Sequence, residues 1–339
     1  MQRCLQLAAQ GAGYVAPNPM VGAILVHEGR IIGEGWHRQY GEAHAEVNCI
    51  NSVKEADRHL LPSATLYVSL EPCNHFGKTP PCTNLVIKER IPKVVIACRD
   101  SFQKVNGAGM ATLAAAGIEV ITGVLEKEAR FQNRRFFTFH EQQRPYIILK
   151  WAQTADGKIA GTDSSSRLLI SNEHTNLLVH RWRSEEAAIL VGTNTAMTDN
   201  PRLTNRYWPG KSPVRLVIDR ELKLPAGLHL FDQSQRTIVF NALKDEKLSN
   251  LEYVRITGDG LKPMLGGCYE AGLQSILVEG GAKLIQSFFE AGLWDEARVI
   301  TNRNLYVADG LDAPVTNLPE AAETITLEND TINIYFANH

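Results

Sequence analysis

Apolar positions in the first part of the chain alternate between short β-rich runs and segments that favour helices. Five runs predict strands, at 21–26, 30–35, 65–70, 93–98 and 118–122. Three segments predict helices, at 43–56, 82–90 and 108–116. The resulting order, β-β-α-β-α-β-α-β, is typical of a three-layer α/β domain.

A second series of strands and helices follows a polar, helical stretch at 126–144. Pro145 opens a new apolar run, YIILKWA, so we place the boundary near 140–145 and expect domains at 1–143 and 144–339. Further strands are predicted near 188–191, 214–218, 237–240, 275–278, 297–300 and 331–336, and helices near 172–183 and 281–291. Since no internal repeat relates the halves, we expect two different α/β domains.

Composition narrows the class of protein. The 339 residues are 44% hydrophobic and 21% charged, which is typical of a globular protein with buried cores. The 35 Lys and Arg residues nearly balance the 37 Asp and Glu residues, which argues against a nucleic-acid or membrane partner. The apolar runs are far shorter than the ~20 residues of a membrane span, and the first residues lack the apolar core of a signal peptide. We therefore expect a cytoplasmic protein.

The clearest chemical pattern consists of His44 and Glu46, followed by two Pro-Cys pairs that end at Cys73 and Cys82. One imidazole and two thiolates predict a catalytic zinc site, with one Zn²⁺ per chain and an open fourth position for water. Glu46 lies close to the metal and is free to move protons, as in the H-x-E…P-C pattern of zinc-dependent base deaminases. The proline before each cysteine predicts that both thiols stand in the first turn of a helix.

A structural zinc site is the alternative. Such a site normally closes with a fourth His or Cys ligand, and His75 is the nearby candidate. The six cysteines are too few and too scattered for a disulfide framework. The order of His44, Glu46, Cys73 and Cys82 along a helix and the next strand-to-helix turn favours the catalytic interpretation.

Four segments of the first domain, APNPMVGAILV, GEGWH, GEAHAEV and YVSLEPCNHFGKTPPC, resemble the N-terminal domain of the bifunctional riboflavin-biosynthesis deaminase/reductase family. Generic cytidine and tRNA-adenosine deaminases have a shorter spacing than the eight residues between Cys73 and Cys82. The resemblance implies a cytidine-deaminase-like fold that removes an amine from a 2,5-diamino-6-(ribosylamino)pyrimidinone 5′-phosphate. It implies that Asn18 contacts the pyrimidine and Lys78 the phosphate. At Asp100 the sequence, DSFQKVNG, departs from the family's DPNP-type loop.

In the second domain, Val278 ends a predicted strand and Gly280-Gly281 opens a helix. Paired glycines at such a turn let backbone N–H groups approach a phosphate, although they also occur as simple turn residues. No G-x-G-x-x-G fingerprint of a dinucleotide-binding Rossmann fold is present.

Further segments, KWAQTADGKIA at 150–160, VGTNT at 191–195 and DNPRLTNR at 199–206, resemble the reductase domain of the same family. The resemblance implies a dihydrofolate-reductase-like α/β domain that uses NADPH to reduce a ribosyl chain to a ribityl chain. The implied NADPH contacts are Ala152, Leu168, Thr195, Asp199 and Gly281. The implied substrate contacts are Ser166, Arg183, Leu203, Arg206 and Glu279.

Several charged residues of this domain suggest specific roles, and two positions depart from the family pattern. A guanidinium fork suits a 5′-phosphate, which favours Arg183 and Arg206 as its ligands. Lys150 and Asp199 are the candidates for proton supply. Leu168 stands where the family often has Trp, and Arg220 stands where a serine commonly follows the aspartate.

Three functions compete. The first is the bifunctional enzyme, a homo-oligomer acting on a small phosphorylated pyrimidine. The second is a nucleic-acid base deaminase fused to a recognition domain, which predicts a basic, aromatic-rich face that the near-neutral charge does not support. The third is a non-catalytic module, which the intact zinc pattern argues against in the first domain.

Overall fold

A computed structural model describes residues 1–76, 80–101, 107–162 and 168–338 of the protein. The chain divides into two compact units, Met1–Gln142 and Gln143–His339. None of the described helices is long and apolar enough to cross a bilayer.

The first unit is a five-stranded sheet with helices packed against it. Its helices are α1 (Gln2–Ala8), α2 (Ala45–Asn51), α3 (Cys82–Lys88), α4 (Ala108–Ala115), α5 (Glu126–Gln132) and α6 (Arg134–Gln142). Its strands are β1 (Gly22–His27), β2 (Arg30–Trp36), β3 (Thr65–Leu70), β4 (Lys93–Cys98) and β5 (Glu119–Ile121). The sheet order is β2-β1-β3-β4-β5, with β3, β4 and β5 parallel.

The predicted order of strands and helices in this unit is confirmed, and two details were missed. The N-terminal helix α1 was not predicted; it packs so closely on β1 that a Cβ on Gly22 would lie 2.1 Å from the Cys4 carbonyl oxygen. The helical stretch at 126–144 is two helices that meet at Asn133. The buried Asn133 side chain accepts from the Met20 N–H and donates to the Met20 carbonyl, which fixes the chain at this junction.

The second unit is built on a larger mixed sheet. Its helices are α7 (Glu173–Glu185), α8 (Thr193–Asp199), α9 (Lys262–Glu270) and α10 (Ala282–Glu290). Its strands are β6 (Tyr146–Thr154), β7 (Lys158–Gly161), β8 (Ala188–Gly192), β9 (Val214–Ile218), β10 (Thr237–Asn241), β11 (Glu246–Lys247), β12 (Leu251–Arg255), β13 (Ser275–Val278), β14 (Glu296–Asn302), β15 (Gly310–Asp312), β16 (Glu323–Leu327) and β17 (Asp330–Phe336).

Within the described residues, ten of these strands form one sheet, in the order β11-β12-β10-β9-β8-β13-β6-β14-β17-β16. The strands from β12 to β14 in this order run parallel, so their carboxyl ends lie along one edge. The central strands β8, β13 and β6 are almost fully buried, as expected for a parallel sheet covered on both faces. This edge is where an open α/β sheet holds its ligands.

Helices α8 and α9 were not predicted. The sequence of α9, KPMLGGCYE, contains two glycines that weaken a helical prediction. Gly267 faces the ring of Phe240, and a Cβ there would lie 3.1 Å from that ring. Tertiary packing against Phe240 therefore favours a residue that local helix propensity disfavours.

Candidate active sites

The first unit brings the three predicted metal ligands together. His44 immediately precedes α2, and its Nδ1 lies 3.5 Å from the Cys73 Sγ and 3.4 Å from the Cys82 Sγ. Zn–S bonds near 2.3 Å and Zn–N bonds near 2.0 Å imply an N···S edge of about 3.5 Å in a tetrahedron. The donor set and its spacing therefore fit Zn²⁺. His75 lies outside this group of ligand atoms in the part of the chain that the structure describes.

The two cysteines occupy different backbone settings. Cys82 is the first residue of α3, as predicted, and its N–H donates to the Cys73 Sγ over 3.4 Å. The helical prediction for Cys73 was wrong, because this residue lies in the loop after β3. The hydrogen bond from the Cys82 thiol outweighs desolvation and lowers the pKa of Cys73 to about 4, and His44 adds to the effect. One thiolate is thus favoured before any metal binds.

Glu46 stands in the first turn of α2, beside the three ligands. Its side chain is buried, and burial together with the negative charge of Cys73 raises its pKa to about 7. A carboxyl group of this kind exchanges protons near neutral pH, which suits general acid–base chemistry.

A cavity of about 400 Å³ opens onto this cluster. Asn18, His37, His44 and Glu46 line it. The Asn18 Nδ2 lies 3.1 Å from the His37 Nε2, and the His37 Nδ1 lies 3.1 Å from the Ala43 carbonyl oxygen. A planar ring in this cavity would meet both the amide of Asn18 and the zinc cluster, and His37 is a lining residue that the sequence did not single out.

Glu71 is a second residue that the sequence did not single out. Its buried carboxylate accepts backbone N–H bonds from Asp100, Gly107, Gly109 and Met110, at 2.9–3.3 Å. It stands two residues before Cys73 and also lines the cavity. The motif SLEPC placed it beside the metal ligands, but only the fold shows that it holds the start of α4.

In the second unit, three predicted side chains meet at the carboxyl edge of the sheet. Arg183, near the end of α7, donates to both carboxylate oxygens of Glu279, at 2.8 and 2.6 Å. The Lys150 Nζ lies 4.0 Å from the same carboxylate. Burial opposes ionisation of Glu279, but the charges of Arg183 and Lys150 outweigh it and lower the pKa to about 2. Glu279 is therefore a carboxylate held between two cations.

The segment after α8 contains two further predicted substrate contacts, Leu203 and Arg206. Arg206 is exposed, and its Nη1 donates to the Thr204 Oγ1 over 3.0 Å. The Arg183 Nη1 donates to the Thr204 carbonyl over 3.1 Å, so that both arginines bond to Thr204. The side chain of Leu203 is buried in an apolar cluster with Val191. Its backbone has a φ of 51°.

The predicted cofactor residues are partly brought together. Gly281, with a φ of 77°, caps α10 at the end of β13, and a Cβ there would lie 3.1 Å from the Thr195 Oγ1 in α8. This close approach of backbone at a helix start fits a dinucleotide phosphate. Ala152 lies on β6, and Asp199 is the exposed last residue of α8.

The remaining residues singled out in the sequence lie outside the groups described above. Lys78 and Ser166 lie outside the described residues. Leu168 is half-buried at the start of a described segment. Arg220, at the departure from the family pattern, follows β9 and pairs with Asp259 over 3.0 Å.

Comparisons with known proteins cover both units. A profile of the cytidine and deoxycytidylate deaminase zinc-binding region matches residues 1–98, and a profile of the RibD C-terminal domain matches residues 145–302. The chain is 42% identical to the riboflavin biosynthesis protein RibD of Aquifex aeolicus, over 87% of this chain and 83% of that protein. It is 40% identical to RibD of Bacillus amyloliquefaciens, over 87% of this chain and 81% of that protein.

Two solved structures resemble the whole chain. The diaminohydroxyphosphoribosylaminopyrimidine deaminase/5-amino-6-(5-phosphoribosylamino)uracil reductase of Thermotoga maritima has a TM-score of 0.89 and 35% identity, covering 99% of this chain and 97% of that chain. RibD of Acinetobacter baumannii has a TM-score of 0.88 and 28% identity, covering 100% and 98%.

The fold and the two sites define a two-domain enzyme, in which a zinc-binding deaminase domain precedes a reductase domain of the NADPH-dependent kind. This confirms the predicted fold class and cofactors. The chain belongs to the RibD family, the bifunctional deaminase/reductases of riboflavin biosynthesis. The predicted family is confirmed, and a nucleic-acid base deaminase is not favoured.

Proposed function

We propose that the first unit deaminates a diaminopyrimidine ribosyl phosphate and that the second unit reduces the ribosyl chain of the product. The observation that carries the proposal is the His44, Cys73 and Cys82 cluster, which faces a cavity that also contains Glu46. The pyrimidine substrate is the one that the name of the Thermotoga maritima relative gives for its deaminase.

In the deaminase, His44, Cys73 and Cys82 would hold Zn²⁺. Zn²⁺ supplies a Lewis acid that makes water a nucleophile near neutral pH. Glu46 takes a proton from the attacking water and delivers it to the departing amine, which leaves as ammonia. Asn18 orients the ring, because its amide offers a donor and an acceptor to the edge of a base.

In the reductase, Gly281 and Thr195 would hold NADPH at the start of α10, with Ala152, Leu168 and Asp199 as further contacts. NADPH supplies the hydride for the ribosyl carbon. Lys150, at 4.0 Å from Glu279, is the candidate proton donor to the sugar oxygen. Arg206 presents its guanidinium to the substrate phosphate. Arg183, which Glu279 holds, donates to the adjacent backbone carbonyl of Thr204.

A coupled assay tests the proposed function. Purified protein is incubated with the diaminopyrimidine ribosyl phosphate, and ammonia release is followed before and after NADPH is added. We expect ammonia in both cases and loss of the nicotinamide absorbance only when NADPH is present. Deamination of cytosine or adenine in an oligonucleotide, with no turnover of the ribosyl phosphate, would instead support the nucleic-acid alternative.

The assignment of the metal ligands has a separate test. The protein is expected to contain about one zinc per chain, and Cys82→Ser is expected to lose most of it. Cys98→Ser is a matched control, because Cys98 is a buried thiol at the end of β4, outside the ligand group. Full zinc retention in Cys82→Ser would remove Cys82 from the ligand set.

We also propose that each unit carries out its own reaction without residues of the other. We expect a fragment of residues 1–143 to bind zinc and release ammonia, and a fragment of residues 144–339 to reduce the deaminated intermediate. A folded, zinc-loaded fragment of residues 1–143 that releases ammonia only when the other fragment is added would contradict it. The expected homo-oligomer stays a prediction, which light scattering in solution would test.

A further inference from the structure

His180 is a buried histidine of the second unit that takes no part in the two proposed reactions. It lies on α7, three residues before Arg183, so that both side chains stand on the same side of the helix. Only 4% of its surface is exposed. Burial of an imidazole next to two arginines calls for a physical explanation, because both the polar ring and the positive neighbours disfavour it.

The ring of His180 is held by the segment that contains Arg206. The backbone N–H of Arg206 donates to the His180 Nδ1 over 2.9 Å. The ring of Tyr207 packs edge-on against the imidazole, with ring centroids 4.6 Å apart and planes at 62°. The imidazole thus satisfies a backbone donor and provides a packing surface at adjacent positions of one segment.

The charge state of His180 agrees with this contact. Desolvation, together with the positive charges of Arg183 and Arg206, lowers its pKa to about 4. The ring is therefore neutral near pH 7. A neutral ring has one acceptor nitrogen, and here that nitrogen is Nδ1, which faces the Arg206 N–H.

Hydrogen bonds within the segment and a close contact with α7 hold the rest of it. The Asn205 Nδ2 donates to the Trp208 carbonyl over 2.7 Å, and the Asn205 N–H donates to the Ser212 Oγ over 3.0 Å. Gly210, at a φ of 131°, lies against Ser184 of α7, where a Cβ would come within 2.9 Å of the Ser184 Cβ. These contacts make the segment 204–212 a closed turn, which α7 contacts through His180, Arg183 and Ser184.

The two arginines beside this turn have different freedom. Arg183 is mostly buried and already donates to both oxygens of Glu279. Arg206 is exposed, so its guanidinium is the one that an incoming anion reaches first. The position of the Arg206 backbone then decides where that charge is presented.

We propose that His180 is a positioning residue of the reductase, which fixes the Arg206 backbone through its Nδ1 and so sets the place of the substrate phosphate. The inference rests on the proposed role of Arg206 in the reductase reaction. His180 touches neither substrate nor cofactor in this proposal; it acts through Arg206.

Three substitutions in the full-length protein separate this role from simple packing. His180→Asn keeps an acceptor oxygen near the place of Nδ1, His180→Gln moves the acceptor toward the place of Nε2, and His180→Phe keeps a ring but removes the acceptor. We expect the Phe and Gln variants to raise the KM for 5-amino-6-(5-phosphoribosylamino)uracil by about 10- to 100-fold. The KM for NADPH, the kcat and ammonia release are expected to stay within about twofold, and His180→Asn is expected to restore the KM.

A double variant shows whether His180 acts through Arg206. In an Arg206→Ala background, His180→Phe is expected to raise the KM no further, because the charge that it positions is gone. Losses that multiply in the double variant, or an Asn variant as impaired as the Phe variant, would overturn the proposal.

Hydrogen exchange gives a readout that does not depend on activity. The amide of Arg206 is expected to exchange faster in the Phe and Gln variants than in the wild type, and at the wild-type rate in His180→Asn. Unchanged exchange in all three variants would overturn the hydrogen bond itself. Absence of NADPH oxidation by the wild-type protein, with exchange behaving as expected, would overturn the proposed reductase function and leave the contact in place.

Discussion

The two units assemble their candidate sites in different ways. In the first, His44 and Cys82 stand at the starts of α2 and α3, and Cys73 lies in the loop after β3. In the second, Lys150, Arg183 and Glu279 meet only because β6, β13 and α7 are adjacent in space. The first site is thus recognisable from the order of its residue types along the chain, whereas the second is specified by the order of strands in a parallel sheet.

The electrostatics of the two sites differ in the same way. Burial and the negative charge of Cys73 raise the pKa of Glu46 to about 7, whereas Arg183 and Lys150 outweigh burial and lower that of Glu279 to about 2. One carboxyl is prepared to exchange protons, and the other is a fixed negative charge. Substitutions at the two positions should therefore fail for different reasons, one in chemistry and one in folding.

The largest expected effect is on the chemistry of the first unit. Glu46→Gln should reduce ammonia release by about 10²- to 10⁴-fold, because the amide keeps the shape but cannot carry protons. Zinc content and reduction of the pre-deaminated substrate should remain, and metal analysis with a separate NADPH assay checks both. Near wild-type ammonia release would mean that Glu46 is not the proton shuttle.

The next effect is on the stability of the second unit. Arg183→Ala leaves the buried Glu279 carboxylate without its main partner and should lower the free energy of unfolding by about 3–5 kcal/mol. Arg181→Ala is the matched control, since its pair with Glu185 is half-exposed and contributes about 0.3–0.5 kcal/mol. Denaturant titration measures both; equal stability of the two variants would contradict the buried ion pair.

Arg206→Ala sharpens the contrast between the two arginines. Loss of one charge-assisted phosphate contact costs about 1.5–3 kcal/mol, which corresponds to a KM about 10- to 150-fold higher in the reductase reaction. The melting temperature should be unchanged, because Arg206 is exposed. Lys211→Ala, at an exposed position of the same segment, is the control and should leave the KM unchanged. A wild-type KM in Arg206→Ala would exclude the phosphate role.

The smallest expected effect is a pH dependence. The pKa of Glu279 is lower in the folded protein, at about 2, than its ordinary value of 4.5. The stability from its ionised form is therefore complete above about pH 4.5 and is lost as the pH falls toward 2. The difference in melting temperature between the wild type and Glu279→Gln should narrow from pH 6 to pH 3. A constant difference would show that the charge of Glu279 does not stabilise the fold.

The sequence predicted much of the fold, and its failures have identifiable causes. The strands of the first unit and most parallel strands of the second have strong apolar patterns and were predicted, whereas β12 was not. Helix α9 was missed because it contains two glycines, which disfavour a helix locally, and one of them, Gly267, packs on Phe240. The helical setting expected for Cys73 was wrong, because a proline before a cysteine fits an irregular loop as well as a helix start.

By itself, the sequence predicted the zinc ligands, Glu46 and two different α/β domains, because His, Glu and Cys in this order form a pattern typical of metal chemistry and because the strands and helices have local apolar periods. Only the tertiary structure decided that Glu279 is held between Arg183 and Lys150, that Glu71 holds the start of α4, and that His180 supports the Arg206 backbone. These contacts join common residue types that no motif along the chain pairs with one another. Their partners are chosen by strand order and helix packing, which local spacing does not encode.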